Sequence, residues 1–244
     1  MRLSRVYCET ALAPGAEVAL PASAANHVAR VLRLRAGAPV VAFDGSGRDF
    51  HCEVVAIEGS RVRVRVGDAA EVRRESPLAV TLVQAVSRGE RMDLTLQKAT
   101  ELGVRAVVPV FSARSVVRLD ERKAVAKLRH WQAVVVSACE QSGRSVLPQV
   151  HAPLNLDLYL ADSPRDGLRL VPSPGAGDSL ATLGAAPNQV ELLIGPEGGF
   201  EDGELQAAER AGFKPVRLGP RVLRTETAGI VALAVLQSMW GDLR

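Results

Sequence analysis

Strand-like and helix-like segments alternate along the chain from residue 78 onward, and this alternation restricts the fold more than any other feature. The strand-like segments are AVTLVQAV, RAVVPVF, PQV, LRLVP, VELLIG and PVRLG. Between them lie RMDLTLQKATEL, a segment from Asp120 to about Cys139, a segment over 203–211 and a closing segment from about Glu226 to Trp240, all typical of helices. Such alternation predicts an α/β fold with a mostly parallel sheet.

The first 66 residues differ, because they read as short strands separated by turns. RVRVRV alternates strictly, which predicts Val62, Val64 and Val66 on one face of a strand and arginines on the other. One short helix, about Ala24–Leu34, interrupts the strands. The charged stretch GDAAEVRRESP (67–77) shows no apolar periodicity. We therefore predict a small β-barrel or sheet over residues 1–70 and an α/β domain over residues 75–244.

Composition excludes several classes of protein. No stretch approaches the ~20 uncharged apolar residues of a membrane span, and the start of the chain shows no secretory signal. Cys8, Cys52 and Cys139 are widely separated, which favours a reducing cytoplasm over disulfides or structural zinc. The four histidines show no metal-ligand spacing, and no nucleophile elbow occurs. We therefore expect a cytoplasmic protein with no membrane contact and no metal, and not a hydrolase.

Arginine far outnumbers lysine, although the net charge is only +3. The arginines of the first 75 residues include Arg30, Arg33, Arg35, Arg61, Arg63, Arg65, Arg73 and Arg74. A GC-rich genome or a thermostable surface explains this bias. A phosphate-binding face explains it equally well, because guanidinium groups match phosphate oxygens. Composition leaves the two explanations open.

The segment VELLIGPEGGF predicts a ligand site. A strand runs into the glycine turn Gly195–Gly199, and such a turn brings backbone amides close to a ligand at the carboxyl edge of a sheet. The turn lacks the lysine and the spacing of a phosphate-binding loop, and Glu197 and Glu201 would repel phosphate. A ligand with few phosphates or none is therefore indicated. A plain strand-to-helix turn is the alternative.

The segment RLGPRVLRTETA follows the next strand. Thr225 or Thr227 can cap the helix that follows, and Glu226 complements its dipole, so these residues need no function. That explanation leaves out Arg221 and Arg224, which lie in the loop at the sheet edge. Two such loops, each leaving a strand, predict one shared pocket. A third segment, CEQSGR (139–144), is explained by the end of a helix alone.

Taken together, the motifs resemble those of the bacterial 16S ribosomal RNA uracil-N3 methyltransferases of the SPOUT class. The resemblance rests on IGPEGGFEDGE, LGPRVLRTETA and the ending ALAVLQSMWGD. It extends to RMDLTLQKATELGV, SARSVV, KLRHWQAVVVSACEQSGRSVLPQV and, near the start, HVARVLRLRAG with AFDG. The motifs stand in the family's order and cover nearly the whole chain.

The resemblance implies a PUA-like RNA-binding β-barrel followed by a SPOUT α/β domain with a C-terminal trefoil knot, a topology that is otherwise very rare. It also implies a homodimer, S-adenosylmethionine as the methyl donor, and N3 of uracil 1498 in 16S ribosomal RNA of the small subunit as the target. The cofactor-binding residues it implies are Val171, Pro172, Ile194, Gly195, Pro196, Glu197, Gly198, Gly199, Leu218, Gly219, Val222, Leu223 and Thr225.

The transfer requires an N3 atom that has lost its proton and is aligned with the methyl group. We hypothesise that Arg224 stabilises negative charge on the uracil edge, and that Glu226 or Glu197 accepts the proton. The candidate RNA phosphate contacts are Arg30, Arg33, Arg114 and Arg144.

Two other functions remain open at this stage. A SPOUT enzyme that methylates a ribose 2′-hydroxyl or a guanine would share the cofactor loops. A non-catalytic RNA-binding or ribosome-assembly factor would use the basic first domain and would not bind S-adenosylmethionine.

Overall fold

A computed structural model describes residues 3–115, 117, 120–162 and 167–243, which group into two units. The first unit comprises residues 1–75 together with 139–147, and the second comprises residues 76–138 together with 148–244. The return of 139–147 to the first unit is a feature that no sequence pattern indicated.

The first unit is built on a five-stranded sheet in the order β1-β3-β4-β5-β2. Its strands are β1 (Arg5–Tyr7), β2 (Glu17–Ala19), β3 (Pro39–Phe43), β4 (Arg48–Glu58) and β5 (Arg61–Glu71). β1 pairs with β3 in parallel, and the other neighbours are antiparallel. The short α1 (Ala22–Asn26) continues into a π-helical turn, His27–Val31, and the two overlap the predicted helix of about Ala24–Leu34 but begin and end earlier.

The alternation of β5 is confirmed. Val62, Val64 and Val66 are buried in the core, whereas Arg61, Arg63 and Arg65 are exposed. The valines belong to one core with residues of β3, β4 and the π-helical turn, among them Val40, Phe50, Val54 and Val28. Burial of one face of the sheet therefore follows from the period of two in the sequence.

The second unit contains a seven-stranded parallel sheet, which confirms the predicted α/β class. Its strand order is β12-β10-β11-β6-β7-β8, and β9 also pairs with β7. The strands are β6 (Ala79–Ala85), β7 (Ala106–Phe111), β8 (Gln149–Val150), β9 (Leu154–Asn155), β10 (Leu168–Pro172), β11 (Gln189–Ile194) and β12 (Lys214–Val216). The helices are α2 (Glu90–Glu101), α3 (Glu121–Ser142), α4 (Leu156–Asp162), α5 (Asp202–Arg210) and α6 (Thr225–Trp240).

The order of the strands determines where the loops meet. β11 lies between β6 and β10, and β12 lies on the other side of β10. Because parallel strands end at the same edge, the loops after β10, β11 and β12 leave the sheet side by side. The loops after β11 and β12 contain the two segments, VELLIGPEGGF and RLGPRVLRTETA, that predicted a shared ligand pocket.

Two expected helix starts form differently. The pattern Ser87–Glu90 suggests a capping box, but the N-cap of α2 is Gly89 and the Ser87 hydroxyl bonds to the carbonyl of Ala85 instead. At α6 the N-cap is Arg224, so the prediction that Thr225 or Thr227 caps this helix was wrong. A capping box is present at α5, between Glu201 and Glu204.

Candidate functional site

A cavity of about 560 Å³ opens where the loops after β10, β11 and β12 meet. Its walls comprise Arg91, Pro172, Ser173, Pro174, Ile194, Gly195, Pro196, Glu197, Gly199, Phe200, Leu205, Val222, Leu223, Arg224, Thr225 and Ala228. A smaller cavity of about 70 Å³ shares several of these walls and adds Leu218, Gly219 and Arg221. The two segments that predicted a shared pocket therefore do form one.

The glycine turn after β11 is shaped by close packing. The ring of Phe200 lies over Gly195, and a Cβ on Gly195 would come within 3.1 Å of that ring. The turn is closed by the amide of Gly199, which donates to the carbonyl of Pro196 at 2.9 Å. Gly199 has a φ of 70°, a left-handed conformation that favours glycine. Glycine therefore fits both positions without strain, whereas a side chain would press on the Phe200 ring at Gly195 and strain the backbone at Gly199.

A hydroxyl connects the two principal loops. Thr225 donates from Oγ1 to the carbonyl of Gly195 at 2.6 Å and accepts from Nε2 of Gln84 at 3.0 Å. Gln84 lies near the end of β6 and is fully buried. The first turn of α6 is thus joined through buried hydrogen bonds to the turn after β11 and to the central strand of the sheet.

Glu197 provides the carboxylate among the described residues that line the cavity. Its Oε1 atom lies 2.9 Å from Nη1 of Arg91, at the start of α2. Arg91 lines the same cavity, and no sequence signal had pointed to it. This ion pair holds the carboxylate at the cavity wall.

Arg224 lies at the mouth of the cavity as the N-cap residue of α6, and its side chain is exposed. In the part of the chain that the structure describes, its guanidinium makes no ion pair. Val222 is 80% exposed, although it lines both cavities. The loop after β12 therefore offers a free cation and an apolar side chain next to the glycine turn.

Glu226 has a different environment from Glu197. It is 7% exposed, it is absent from the lining of either cavity, and its Oε2 atom has no hydrogen-bond partner among the described residues. Of the two carboxylates predicted as proton acceptors, the structure therefore places only Glu197 at the cavity wall.

Residues of the SARSVV segment (112–117) contact the glycine turn after β11 and the start of α5. Nη1 of Arg114 donates to the carbonyl of Gly198 at 3.0 Å, and the amide of Ala113 donates to Oε1 of Glu204 at 2.8 Å. The other oxygen of Glu204 accepts the amide of Glu201 at 2.9 Å. The carboxylate of Glu204 thus connects this segment to the start of α5. Residues 116, 118 and 119 lie outside the described residues.

The four predicted RNA contacts fall into different environments. Arg30 and Arg33 are exposed in the first unit, and Arg33 has a φ of 51°, rare for a residue with a side chain. Arg114 is half exposed. Arg144 is 4% exposed, and its guanidinium pairs with the carboxylate of Glu75. Since this guanidinium is buried and engaged, the expectation that Arg144 contacts a phosphate does not fit the structure.

The predicted cofactor residues converge, with two exceptions. Val171 is buried within β10, directly before Pro172, and Gly198 contacts Arg114 rather than either cavity. The lining residues that sequence reasoning missed are Arg91, Ser173, Pro174, Phe200, Leu205 and Ala228. Ser173 and Pro174 directly follow the strand LRLVP, so the edge position of that loop was the available signal.

Within the described ranges, no cluster of three or more His, Cys, Asp or Glu side chains is arranged to hold a metal ion. No helix in the same residues is long and apolar enough to cross a membrane.

Comparison with protein families and curated relatives gives consistent matches. The RNA methyltransferase domain model matches residues 74–237, and the RNA methyltransferase PUA domain model matches residues 20–67. The ribosomal RNA small subunit methyltransferase E of Mycobacterium tuberculosis is 37% identical over 243 residues, which cover 96% of this chain and 92% of the relative.

Solved structures match over the full length. A methyltransferase from Legionella pneumophila, determined with bound S-adenosylmethionine, aligns with a TM-score of 0.96 and 39% identity, covering 100% of both chains. The ribosomal RNA small subunit methyltransferase E of Neisseria gonorrhoeae, also bound to S-adenosylmethionine, aligns with a TM-score of 0.92 and 38% identity, again covering 100% of both chains.

Proposed function

This chain belongs to the family of the ribosomal RNA small subunit methyltransferases E, and from that premise we propose that it transfers a methyl group from S-adenosylmethionine to N3 of a uridine in 16S ribosomal RNA. By family resemblance the target is U1498 of the small subunit, which would place the enzyme in the cytoplasm. The observation that carries the proposal is the cavity that combines glycine backbone, apolar side chains and the free Arg224.

The cavity fits the proposed cofactor. Its volume of about 560 Å³ lies within the ~300–1,000 Å³ typical of small-molecule sites. Ile194 and Leu223 offer apolar contacts for an adenine ring, and Gly195 leaves backbone atoms accessible. Glu197 offers a negative charge to a cationic ligand. When bound, S-adenosylmethionine supplies an electrophilic methyl group on a positively charged sulfur.

Arg224 and Glu197 perform the chemical steps in this proposal. The guanidinium of Arg224 donates hydrogen bonds to the uracil edge, where negative charge develops as N3 loses its proton. The carboxylate of Glu197 accepts that proton, since it is at the cavity wall whereas Glu226 is buried away from it. Glu226 then has a structural role at the start of α6.

RNA is held by exposed arginines on both units. Arg30 and Arg33 in the first unit and Arg114 in the second contact phosphates, whereas the buried Arg144 is left out. The left-handed backbone of Arg33 supports its role, because strained conformations cost energy and concentrate at functional sites.

The proposal includes a trefoil knot in the second unit and a homodimer. The knot follows from the resemblance to the SPOUT class, and the shared cavity of the three loops is compatible with it. Val222 and Leu94 are exposed apolar side chains of the second unit that a second copy would cover. Sedimentation analysis tests the dimer: a monomer at micromolar concentration would remove it from the proposal.

The deciding experiment uses small ribosomal subunits from a strain that lacks the gene. The purified protein and isotopically labelled S-adenosylmethionine are added, and the RNA is mapped by mass spectrometry and reverse transcription. N3 methylation blocks base pairing, so we expect one labelled uridine that arrests the polymerase. A labelled ribose or guanine would support a different SPOUT enzyme. No label, together with no calorimetric binding of S-adenosylmethionine, would favour a non-catalytic factor.

A further inference from the structure

Another cavity, of about 450 Å³, is lined only by residues of the first unit. These residues are far along the chain from the loops of the methyl-transfer site. Its charged and polar lining residues are Arg5, Asp49, His51, Glu71, Arg73 and Arg74. We propose that this cavity binds a phosphodiester group of the RNA substrate, with Arg73 and Arg74 as its ligands. The inference rests on the proposed function only in that RNA is the substrate.

Two acidic side chains near the cavity, Asp49 and Glu75, form ion pairs with buried arginines of the same unit. The carboxylate of Asp49 pairs with the buried guanidinium of Arg5 and accepts the hydroxyl of Ser145 at 2.5 Å. Glu75, which directly follows Arg74, pairs with Arg144. Glu75 therefore does not offset the charge of the arginines at the opening, whereas Asp49 also lies 3.9 Å from Nη1 of Arg74 and offsets part of its charge.

The arginines at the opening keep donors for a ligand. Arg73 is exposed, and it forms no ion pair or hydrogen bond with any residue that the structure describes. Arg74 is half exposed and uses Nη1 to donate to the carbonyl of Gly143 at 2.6 Å, which fixes the orientation of its guanidinium. His51 is exposed on β4 beside them.

The balance of charge favours an anion. The cavity lining carries three guanidinium groups, of Arg5, Arg73 and Arg74, and two carboxylates, of Asp49 and Glu71, so it keeps a net positive charge. His51 adds a further hydrogen-bonding side chain. A fixed guanidinium suits phosphate oxygens, because its planar donors match their geometry. The buried pairs Arg5–Asp49 and Arg144–Glu75 hold the wall of the cavity, which explains why Arg144 has a supporting position rather than one in contact with RNA.

The experiment compares RNA affinity across salt concentrations for the full-length protein. Fluorescence anisotropy with a fluorescein-labelled 16S ribosomal RNA fragment is measured for the wild type, Arg73→Ala, Arg74→Ala and the control Arg61→Ala, an exposed arginine of β5 outside this cavity. We expect Arg73→Ala to raise the Kd about five- to tenfold and to reduce the slope of log Kd against log salt by about 0.7–0.9. Arg61→Ala should change neither quantity.

The outcomes separate this inference from the proposed function. If Arg73→Ala and Arg74→Ala keep the wild-type slope while the wild type binds RNA with a steep salt dependence, the cavity is not a phosphate site and the proposed function stands. If the wild type binds no ribosomal RNA, both are overturned. Calorimetric binding of S-adenosylmethionine to each variant shows that the second unit remains folded, and circular dichroism does so for the first.

Discussion

Thr225 donates a hydrogen bond of 2.6 Å to the carbonyl of Gly195, and this bond joins the first turn of α6 to the glycine turn after β11. Replacement by valine keeps the shape but removes the hydroxyl, leaving the carbonyl of Gly195 and Nε2 of Gln84 without that partner. We expect Thr225→Val to lower the free energy of unfolding by about 1–3 kcal/mol and to weaken S-adenosylmethionine binding about tenfold. Denaturant titration and calorimetry measure the two effects. Thr225→Ser should restore both, and a valine variant equal to the wild type would show that the bond has no role.

Substitution of Arg224 is expected to affect catalysis but not cofactor binding. We expect Arg224→Ala to lower turnover roughly 10²- to 10³-fold, the effect of removing one donor to a developing negative charge. The affinity for S-adenosylmethionine should stay within about threefold of the wild type, because the exposed guanidinium lies at the mouth of the cavity. Methyl incorporation and calorimetry measure these. Arg221→Ala is the matched control, since Arg221 lines only the smaller cavity. Unchanged turnover in Arg224→Ala would remove this residue from the mechanism.

The two carboxylates are distinguished by paired amide substitutions. Glu197→Gln should lower turnover about 10²- to 10⁴-fold, as expected for the loss of a general base. Its residual activity should rise with pH, because the solvent then removes the N3 proton. Glu226→Gln should retain turnover, because Glu226 is buried outside the cavity. Rates measured from pH 7 to 9 test this assignment, and a larger loss in Glu226→Gln would reverse it.

A buried ion pair stabilises the second unit. Nη2 of Arg169 lies 3.0 Å from Oε2 of Glu191, and both side chains are largely shielded from solvent. Tyr159 donates to the same carboxylate at 2.8 Å. Arg169→Ala leaves a buried charge and should cost about 3–5 kcal/mol of unfolding free energy. Lys98→Ala, which breaks a solvent-exposed pair with Glu101, should cost less than ~1 kcal/mol. Equal losses in urea titrations would contradict this difference.

Stability should decline in alkaline solution. Burial raises the pKa of the Cys139 thiol from 9.0 to about 12, so the unfolded chain loses this proton at lower pH than the folded chain does. The contribution of Cys139 to the free energy of unfolding is therefore expected to be constant below about pH 9 and to fall as the pH rises toward 12. Cys139→Ala should reduce this fall. Denaturant titrations at pH 8 and 10.5 measure it, and an identical fall in the variant would assign it to other groups.

Patterns that depend on local chemistry were predictable from the sequence. Strict alternation identified the buried valines of β5, because side chains of a strand point to opposite faces. The glycine turn after β11 and the arginine loop after β12 were expected at one sheet edge, since parallel strands end together. Both features follow from residues that are close in the chain.

Features that depend on distant partners were not predictable. Arg144 had the sequence context of an exposed helix end, but Glu75 pairs with it from another part of the chain and buries it. Arg91 reaches the cavity because β6 happens to lie beside β11, an order that neither segment specifies. One local pattern was also misleading: Ser87 and Glu90 have the spacing of a capping box, yet the N-cap is Gly89 with a φ of 58°, a conformation open to glycine.

The discontinuous first unit has a consequence for how the protein is made. The hydrogen bonds of Arg5 and Asp49 with Ser145 join the start of the chain to a residue synthesised much later. On a translating ribosome, domains usually fold in order from the N-terminus. Here the first unit is complete only after residues 139–147 have been synthesised, by which time β6, α2, β7 and most of α3 have also been synthesised. Synthesis of the second unit therefore begins before the first unit is complete. During that time the N-terminal sheet lacks its contacts with residues 139–147.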